Sequence, residues 1–201
     1  MEIITLPLGQ YQTNCYILAD TDNTCAVIDP GYPQSILFDV LAEKGLTPRA
    51  ILLTHGHFDH VGGVKMLAEQ YGCPIYIHEK DWHLPKSPYN TQLYPISGKA
   101  FGQVIFYDPG QALTLGNLEI TVYETPGHTR GSVCLRCGDA LFTGDTLFCQ
   151  GCGRTDLPGG DSRSIRESLA FLGGLPFHGS VYPGHGPSST LDAERKYNPY
   201  L

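Results

Sequence analysis

The chain has 201 residues, 41% of them hydrophobic and 16% charged, the values of a globular protein with no biased or repetitive segment. That length is near the upper end of one ordinary domain and no linker divides it, so residues 1–201 read as a single domain. A formal charge of -7, spread along the chain without a basic patch, speaks against a nucleic-acid partner. No run approaches the roughly 18 apolar residues of a membrane span.

The opening MEIITLPLG lacks a basic segment and a long apolar core, so it reads as a first strand near 2–8 and not as a signal peptide. Strands follow near 14–20 and 24–29, then a helix from about 33 to 44 and a strand over 50–54. Apolar residues at Val61, Val64, Met66, Leu67 and Tyr71 predict an amphipathic helix over 60–71. Next come a strand near 75–77 and a short helix around Glu79–Leu84. Residues 85–102, rich in Pro, Ser and Gly, form a long loop and a candidate substrate flap. Strands are expected near 103–106, 111–115, 118–124, 132–137, 140–143 and 180–182, with a helix over 162–172 before the last. The tail Thr190–Lys196 has room for one short helix. Two halves that each run from strands through a histidine-bearing loop to a helix suit a two-sheet sandwich.

The chemistry concentrates in Thr54–His60, which reads THGHFDH. It lies where an apolar run ends and the predicted helix begins. On an extended segment His55 and His57 point the same way. Asp59 and His60 open the helix, where a carboxylate is favoured by free N–H groups and the dipole. Three later residues share one context, a strand running out into a Gly-bearing turn: His128 in TPGHT, Asp145 in TGDT and His185 in YPGHG. Imidazoles and carboxylates without obligatory thiolate suit zinc, with iron or manganese also compatible, over calcium or magnesium. His55, His57 and His128 can hold one divalent ion, and Asp59, His60 and His185 a second, with Asp145 bridging. Seven N/O ligands over two ions leave open positions, unlike a closed structural zinc site. A hydroxide shared by two ions about 3.5–4 Å apart is a nucleophile at neutral pH, and Asp59 can orient it. The chemistry favoured is metal-assisted hydrolysis.

THGHFDH, GHTRGS, GDTLF and PGHG, in this order, resemble the metallo-β-lactamase superfamily along nearly the whole chain. Within it, Gln10–Tyr16 (QYQTNCY) and Gly144–Phe148 (GDTLF) with Gly153–Asp156 (GRTD) look like the glyoxalase II-like, hydroxyacylglutathione hydrolase-like branch. The resemblance implies a four-layer α/β fold, an αββα sandwich of two mixed β-sheets, with a dinuclear site at the sheet edges. It implies as ligands His55, His57, Asp59, His60, His128, Asp145 and His185. Arg154 stands where the family has a basic residue near the substrate's carboxylate, and Asp156 where it has an aromatic one. Glyoxalase II proper adds a C-terminal helical domain. Sixteen residues after His185 are too few for it. The expected activity is therefore that of a compact thioesterase acting on a small-molecule acyl thioester such as an S-acyl glutathione. Gly-Cys-Gly-Arg-Thr-Asp also resembles the mononuclear iron persulfide dioxygenases, in which only His55, His128 and Asp145 would bind metal. A lactonase or another hydrolase is a further alternative. A redox scaffold like the flavodiiron proteins would need an acid where this chain has Phe58.

Two C-x-x-C-G units, Cys134/Cys137 and Cys149/Cys152, have the form of zinc knuckles. On a strand, however, residues three apart point to opposite faces, so a four-cysteine site is not expected. Seven cysteines, an odd number, without an export signal favour reduced thiols and a cytoplasmic location. Oligomeric state is not readable from these features.

Overall fold

The computed structural model describes residues 1–82, 103–108, 110 and 112–201. The proposed flap over 85–102 lies outside the described residues, as do residues 83 and 84 of the expected short helix.

Strands β1 (Glu2–Leu8), β2 (Thr13–Ala19), β3 (Thr24–Ile28), β4 (Thr47–Leu52), β5 (Ile75–Ile77) and β6 (Val104–Phe106) form one sheet in chain order. Its first three strands pair antiparallel and the rest parallel. The crossovers carry the helices α1 (Ser35–Glu43), α2 (Phe58–Val61) and α3 (Val64–Tyr71). The other sheet runs in the order β14-β13-β10-β9-β8-β7. It comprises β7 (Ala112–Leu115), β8 (Leu118–Glu124), β9 (Val133–Cys137), β10 (Ala140–Gly144), β13 (Ser180–Pro183) and β14 (Ser189–Thr190). A short hairpin, β11 (Leu147–Phe148) with β12 (Gly151–Cys152), stands beside it. Helices α5 (Ser162–Gly173) and α6 (Leu191–Tyr197) flank β13 in sequence, and α4 (Glu79–Trp82) follows β5.

Alternation along the strands separates three apolar layers. Cys15, Ile17 and Val27 pack outward on Leu37 and Leu41 of α1 and Leu67 of α3. Tyr16, Leu18, Ile28 and Leu52 point inward to Ile120, Val122, Leu135 and Phe142 of the second sheet. Cys134, Leu141 and Val181 pack outward on Ile165 and Leu169 of α5 and Leu191 of α6. The result is the four-layer αββα sandwich of two mixed sheets that the resemblance implied. Every residue of β2 is buried, as expected for a strand covered on both faces. Among the described residues no helix is long and apolar enough to cross a membrane.

Several boundaries differ from the sequence reading, each for a local reason. The helix expected over 60–71 breaks at Gly62–Gly63. Gly63 N–H donates to Pro30 O at 2.7 Å, and a Cβ there would come 2.8 Å from that oxygen. Strand β4 starts at Thr47, three residues early, because Pro48 is accommodated by a register shift against Cys25 and Ala26. Helix α5 matches expectation, and its N-cap Asp161 accepts from Arg163 N at 3.1 Å and Ser164 N at 2.6 Å. The two cysteine units do not meet in a knuckle. Cys134 faces the outer layer and Cys137 the inner one.

Between the sheets, Phe142 stacks on Tyr182 at 5.2 Å and tilts against Tyr16 at 5.1 Å. Phe142→Ala should cost about 3–5 kcal/mol, read as a lower urea midpoint at unchanged m-value. A loss under about 1 kcal/mol would show that the two sheets close over the cavity.

Candidate metal centre

The C-terminal ends of β3, β4, β8, β10 and β13 lie along one edge of the sandwich, where open α/β sheets bind ligands. Each is followed by a segment that delivers a polar side chain. Leaving β4, the chain passes Thr54, His55 and Gly56 to His57, the N-cap residue of α2, and Asp59 lies in that helix's first turn. His128, Asp145 and His185 arrive from the turns after β8, β10 and β13. All seven residues singled out in the sequence come together.

Ring orientation is set from outside the cluster. His60 Nδ1 donates to Asp29 Oδ2 at 2.9 Å. His128 Nδ1 donates to the Arg154 carbonyl at 2.8 Å, and His185 Nδ1 to the Tyr11 carbonyl at 3.2 Å. Thr54 Oγ1 donates to Asp29 Oδ2 at 2.6 Å, so its lone pair faces His55 Nδ1 at 3.1 Å. Each of these four rings therefore turns its Nε2 inward. His57 does the opposite, presenting Nδ1 to His128 Nε2 at 2.8 Å. Asp145 sits between the two groups. Its Oδ1 is 3.3 Å from His60 Nε2, and its Oδ2 is 3.5 Å from His128 Nε2 and 3.6 Å from His185 Nε2. Asp59 Oδ2 lies 3.3 Å from His185 Nε2 and 3.9 Å from His60 Nε2.

Two triads could each hold a cation: His55, His57 and His128, with candidate ligand atoms within 4.8 Å of one another, and Asp59, His60 and His185, equally close. A third grouping includes Asp29, but both oxygens of that carboxylate are already engaged by Thr54 and His60. It supports ligands and is not one itself. The residues fit divalent cations on three counts. The donor set is nitrogen and carboxylate oxygen, the preference of zinc, iron and manganese. His55 Nε2, His60 Nε2 and Asp145 Oδ1 are buried without a hydrogen-bond partner. Buried polar atoms are rarely left so. Burial, helped by neighbouring imidazoles, pushes His55 well below the usual histidine range and His57 down to about 3. Neutral imidazole is the form that binds metal. For Asp145 burial acts upward, yet His60, His128 and His185 outweigh it and hold the carboxyl ionised.

Close approach is enforced at Gly184, where a Cβ would overlap Asp145 Oδ1 and lie 2.7 Å from His60 Cε1. Two buried carboxylates that the sequence reading passed over fasten the loops. Asp29 ends β3 and ties it to Thr54, accepting from Thr54 N at 2.8 Å. Asp81, in α4, accepts from Gly56 N at 2.8 Å, Thr129 Oγ1 at 2.7 Å and Gly131 N at 2.6 Å, joining the His55 loop to the His128 loop. Burial raises the Asp81 carboxyl against these lowering contacts.

Above the cluster opens a cleft of about 510 Å³, whose walls include Tyr11, Phe58, Phe148, Cys152, Arg154 and Leu157. Arg154 pairs bidentately with Asp156, both contacts 2.7 Å, with 63% and 67% of the two side chains exposed. Asp161, the next acid along the chain, caps α5.

Fold and site together define a class. The metallo-β-lactamase superfamily model matches residues 8–185, and the chain belongs to that superfamily. It is similar to the hydroxyacylglutathione hydrolase GloC of Haemophilus influenzae, 34% identical over 209 residues covering all of this chain and 98% of that protein. Among solved structures it is similar to the BLEG-1 B3 metallo-β-lactamase, 36% identical, with a TM-score of 0.88 over 100% of this chain and 99% of that one. It also resembles TTHA1623 in a di-iron-bound form, 34% identical, with a TM-score of 0.81 over 98% and 100% of the two chains. The chain is a metallo-hydrolase of this superfamily with a His/Asp cluster able to bind metal.

Asp29→Asn keeps the shape and removes the charge that orients His60 and Thr54. It should weaken metal affinity about 10- to 100-fold in a chelator competition. Unchanged affinity would show that Asp29 serves the fold alone.

Proposed function

We propose that this protein hydrolyses an acyl thioester, of the kind formed between a carboxylic acid and glutathione, at a pair of divalent metal ions held by His55, His57 and His128 and by Asp59, His60 and His185, with Asp145 between them. The observation that carries the reading is the position of Asp145, its Oδ1 beside His60 of one triad and its Oδ2 between His185 of that triad and His128 of the other. Bound there, the two cations would supply Lewis acidity and a hydroxide at neutral pH. Zinc suits the donors, and the di-iron form of a similar protein keeps iron in view.

The chain's own groups then have distinct tasks. Asp59, open to the cleft and steadied by Thr13 Oγ1 at 3.3 Å, accepts a hydrogen bond from the attacking water and aims it at the carbonyl carbon. The water oxygen adds to the carbonyl carbon as one of its protons passes by way of Asp59 to solvent. The C–S bond then breaks, sulfur leaves with the electron pair, and the carboxylic acid formed loses the remaining proton to solvent. A thiol of pKa near 8.5 needs little protonation to leave, unlike an amide nitrogen. That matters here because the described cleft residues outside the cluster include no carboxylic acid or imidazole to serve as a proton donor. Arg154, at the mouth, offers its guanidinium to an anionic thiol moiety, exchanging Asp156 for the substrate's carboxylate. Full-length similarity to a hydroxyacylglutathione hydrolase supports the same choice.

The purified protein should contain about two equivalents of divalent metal and release thiol from S-lactoylglutathione. One iron per chain with oxygen uptake on glutathione persulfide would overturn the reading. Arg154→Ala should raise KM for S-lactoylglutathione several-fold and leave kcat within about twofold, the signature of lost uniform binding. A fall in kcat at constant KM would place Arg154 in the chemical step instead.

A further inference from the structure

A second cavity of about 160 Å³ adjoins the cleft, between the β1–β2 turn and the segment after β3. Tyr11, Phe58 and Asp59 line both spaces, so the small one opens beside the cluster. Tyr32 lines the small cavity alone, and Arg154 lines only the large one. Among the described residues, the sole charged side chain on the small cavity is Asp59, at the junction.

The cavity is built by specific contacts. Gly9 N–H donates to Gln34 Oε1 at 2.8 Å, and Gln12 Nε2 donates to Gly9 O at 2.7 Å, which fixes the turn. A Cβ on Gly9 would stand 3.0 Å from the Tyr32 ring, and one on Gly31 would overlap the Asp59 carbonyl. The Tyr11 ring meets Phe58 edge-on at 5.2 Å. Even so, Tyr11 and Tyr32 leave 52% and 51% of their surface to solvent. Large aromatic surface held open beside a reactive centre marks a place where an apolar group is received.

We propose that this side cavity is the acyl subsite of the thioesterase, taking an uncharged apolar acyl group of up to about six carbon atoms, open-chain or ring, while the anionic thiol half lies in the larger cleft toward Arg154. The proposal rests on the thioesterase reading above. Size sets the limit, since an apolar cavity of about 150 Å³ accommodates benzene. Charge sets the class, because the described walls of the cavity hold no cation to pair with an acyl group's own carboxylate. Shared walls set the location, as the carbonyl carbon must sit at the cluster with one half of the substrate on either side.

The test uses S-acetyl-, S-butanoyl-, S-hexanoyl- and S-succinylglutathione with the metal-loaded wild type, Tyr32→Trp and Tyr32→Ala. In the wild type kcat/KM should rise about three- to fourfold per methylene up to hexanoyl, and succinyl should fall well below butanoyl. Tyr32→Trp, which fills the cavity, should cut the hexanoyl-to-acetyl ratio at least tenfold, and Tyr32→Ala should extend the chain accepted. Identical profiles in all three proteins would overturn the proposal. Binding of hexanamide, followed by NMR at the tyrosine ring signals, reads the cavity without turnover. Hexanamide shifting Tyr32 in a protein that cleaves no thioester would overturn the thioesterase reading and, with it, the acyl assignment, leaving an apolar subsite for another substrate. Thioester turnover with no Tyr32 shift and a flat chain-length profile would overturn the subsite and keep the thioesterase.

Discussion

The Asp29 carboxylate is the constraint on which the site depends. It sits at the end of β3 with a φ of 47°, a left-handed conformation that a non-glycine residue adopts only when its surroundings demand it. Its own N–H donates to Leu52 O at 3.1 Å, tying it to the end of β4. A buried carboxylate without partners is costly, so Thr54 and His60 have little freedom to do anything but answer it. Through Thr54 Oγ1 the same carboxylate also orients His55. One charge thereby fixes two imidazoles, one in each triad.

Asp81 plays the corresponding part across the sandwich, and the strand edges are stitched by backbone contacts as well. Val133 N–H donates to Thr54 O at 2.9 Å, and Asn14 N–H to Gly184 O at 2.8 Å. Tyr16 Oη donates to the Pro183 carbonyl at 2.6 Å. Each of these bonds runs from one sheet or its loops to the other. The seven side chains of the cluster thus stand on two sheets locked at their ends, a rigid support of the kind that lets functional groups converge without paying for reorganisation when ligand arrives.

The cluster was legible because its residues are chemically distinctive and recur in one context, a strand giving out into a glycine turn. Asp29-Pro30-Gly31 has that same context after Ile28 and could have been found by the same rule, yet nothing but its partners separates a supporting carboxylate from a ligand. Asp81 gave no signal. It lies in a four-residue helix and its partners are 25 to 50 positions away, so its meaning exists only once the chain has folded. Layer order followed from periodicity, whereas boundaries did not. The adjacent Gly62 and Gly63 were outweighed by an amphipathic pattern that runs through them. The two-residue strands of the β11–β12 hairpin and β14 are too short to leave any periodicity.

The walls of the cleft obey different physics from its floor. Gln150, in the turn of the β11–β12 hairpin, holds a φ of 56°, which costs about 1–2 kcal/mol for a residue with a Cβ. Its N–H donates to Glu194 Oε2 at 2.8 Å, from a buried carboxylate in α6 that also engages Asn198 and Ser189. Asn198 Nδ2 reaches back to the carbonyls of Phe148 at 3.2 Å and Gly151 at 3.0 Å. The last helix therefore holds in shape the hairpin that carries Phe148 and Cys152 to the cleft and leads on to Arg154, whose carbonyl orients His128. Opposite it stands the β1–β2 turn with Tyr11. Both walls come from peripheral elements tied down by a few side chains, and they touch the floor through main-chain carbonyls, Tyr11 O to His185 and Arg154 O to His128, so their side chains can change without disturbing the rings beneath them. The floor commits the chain to metal chemistry, and the choice among substrates is left to a turn, a hairpin and one short helix.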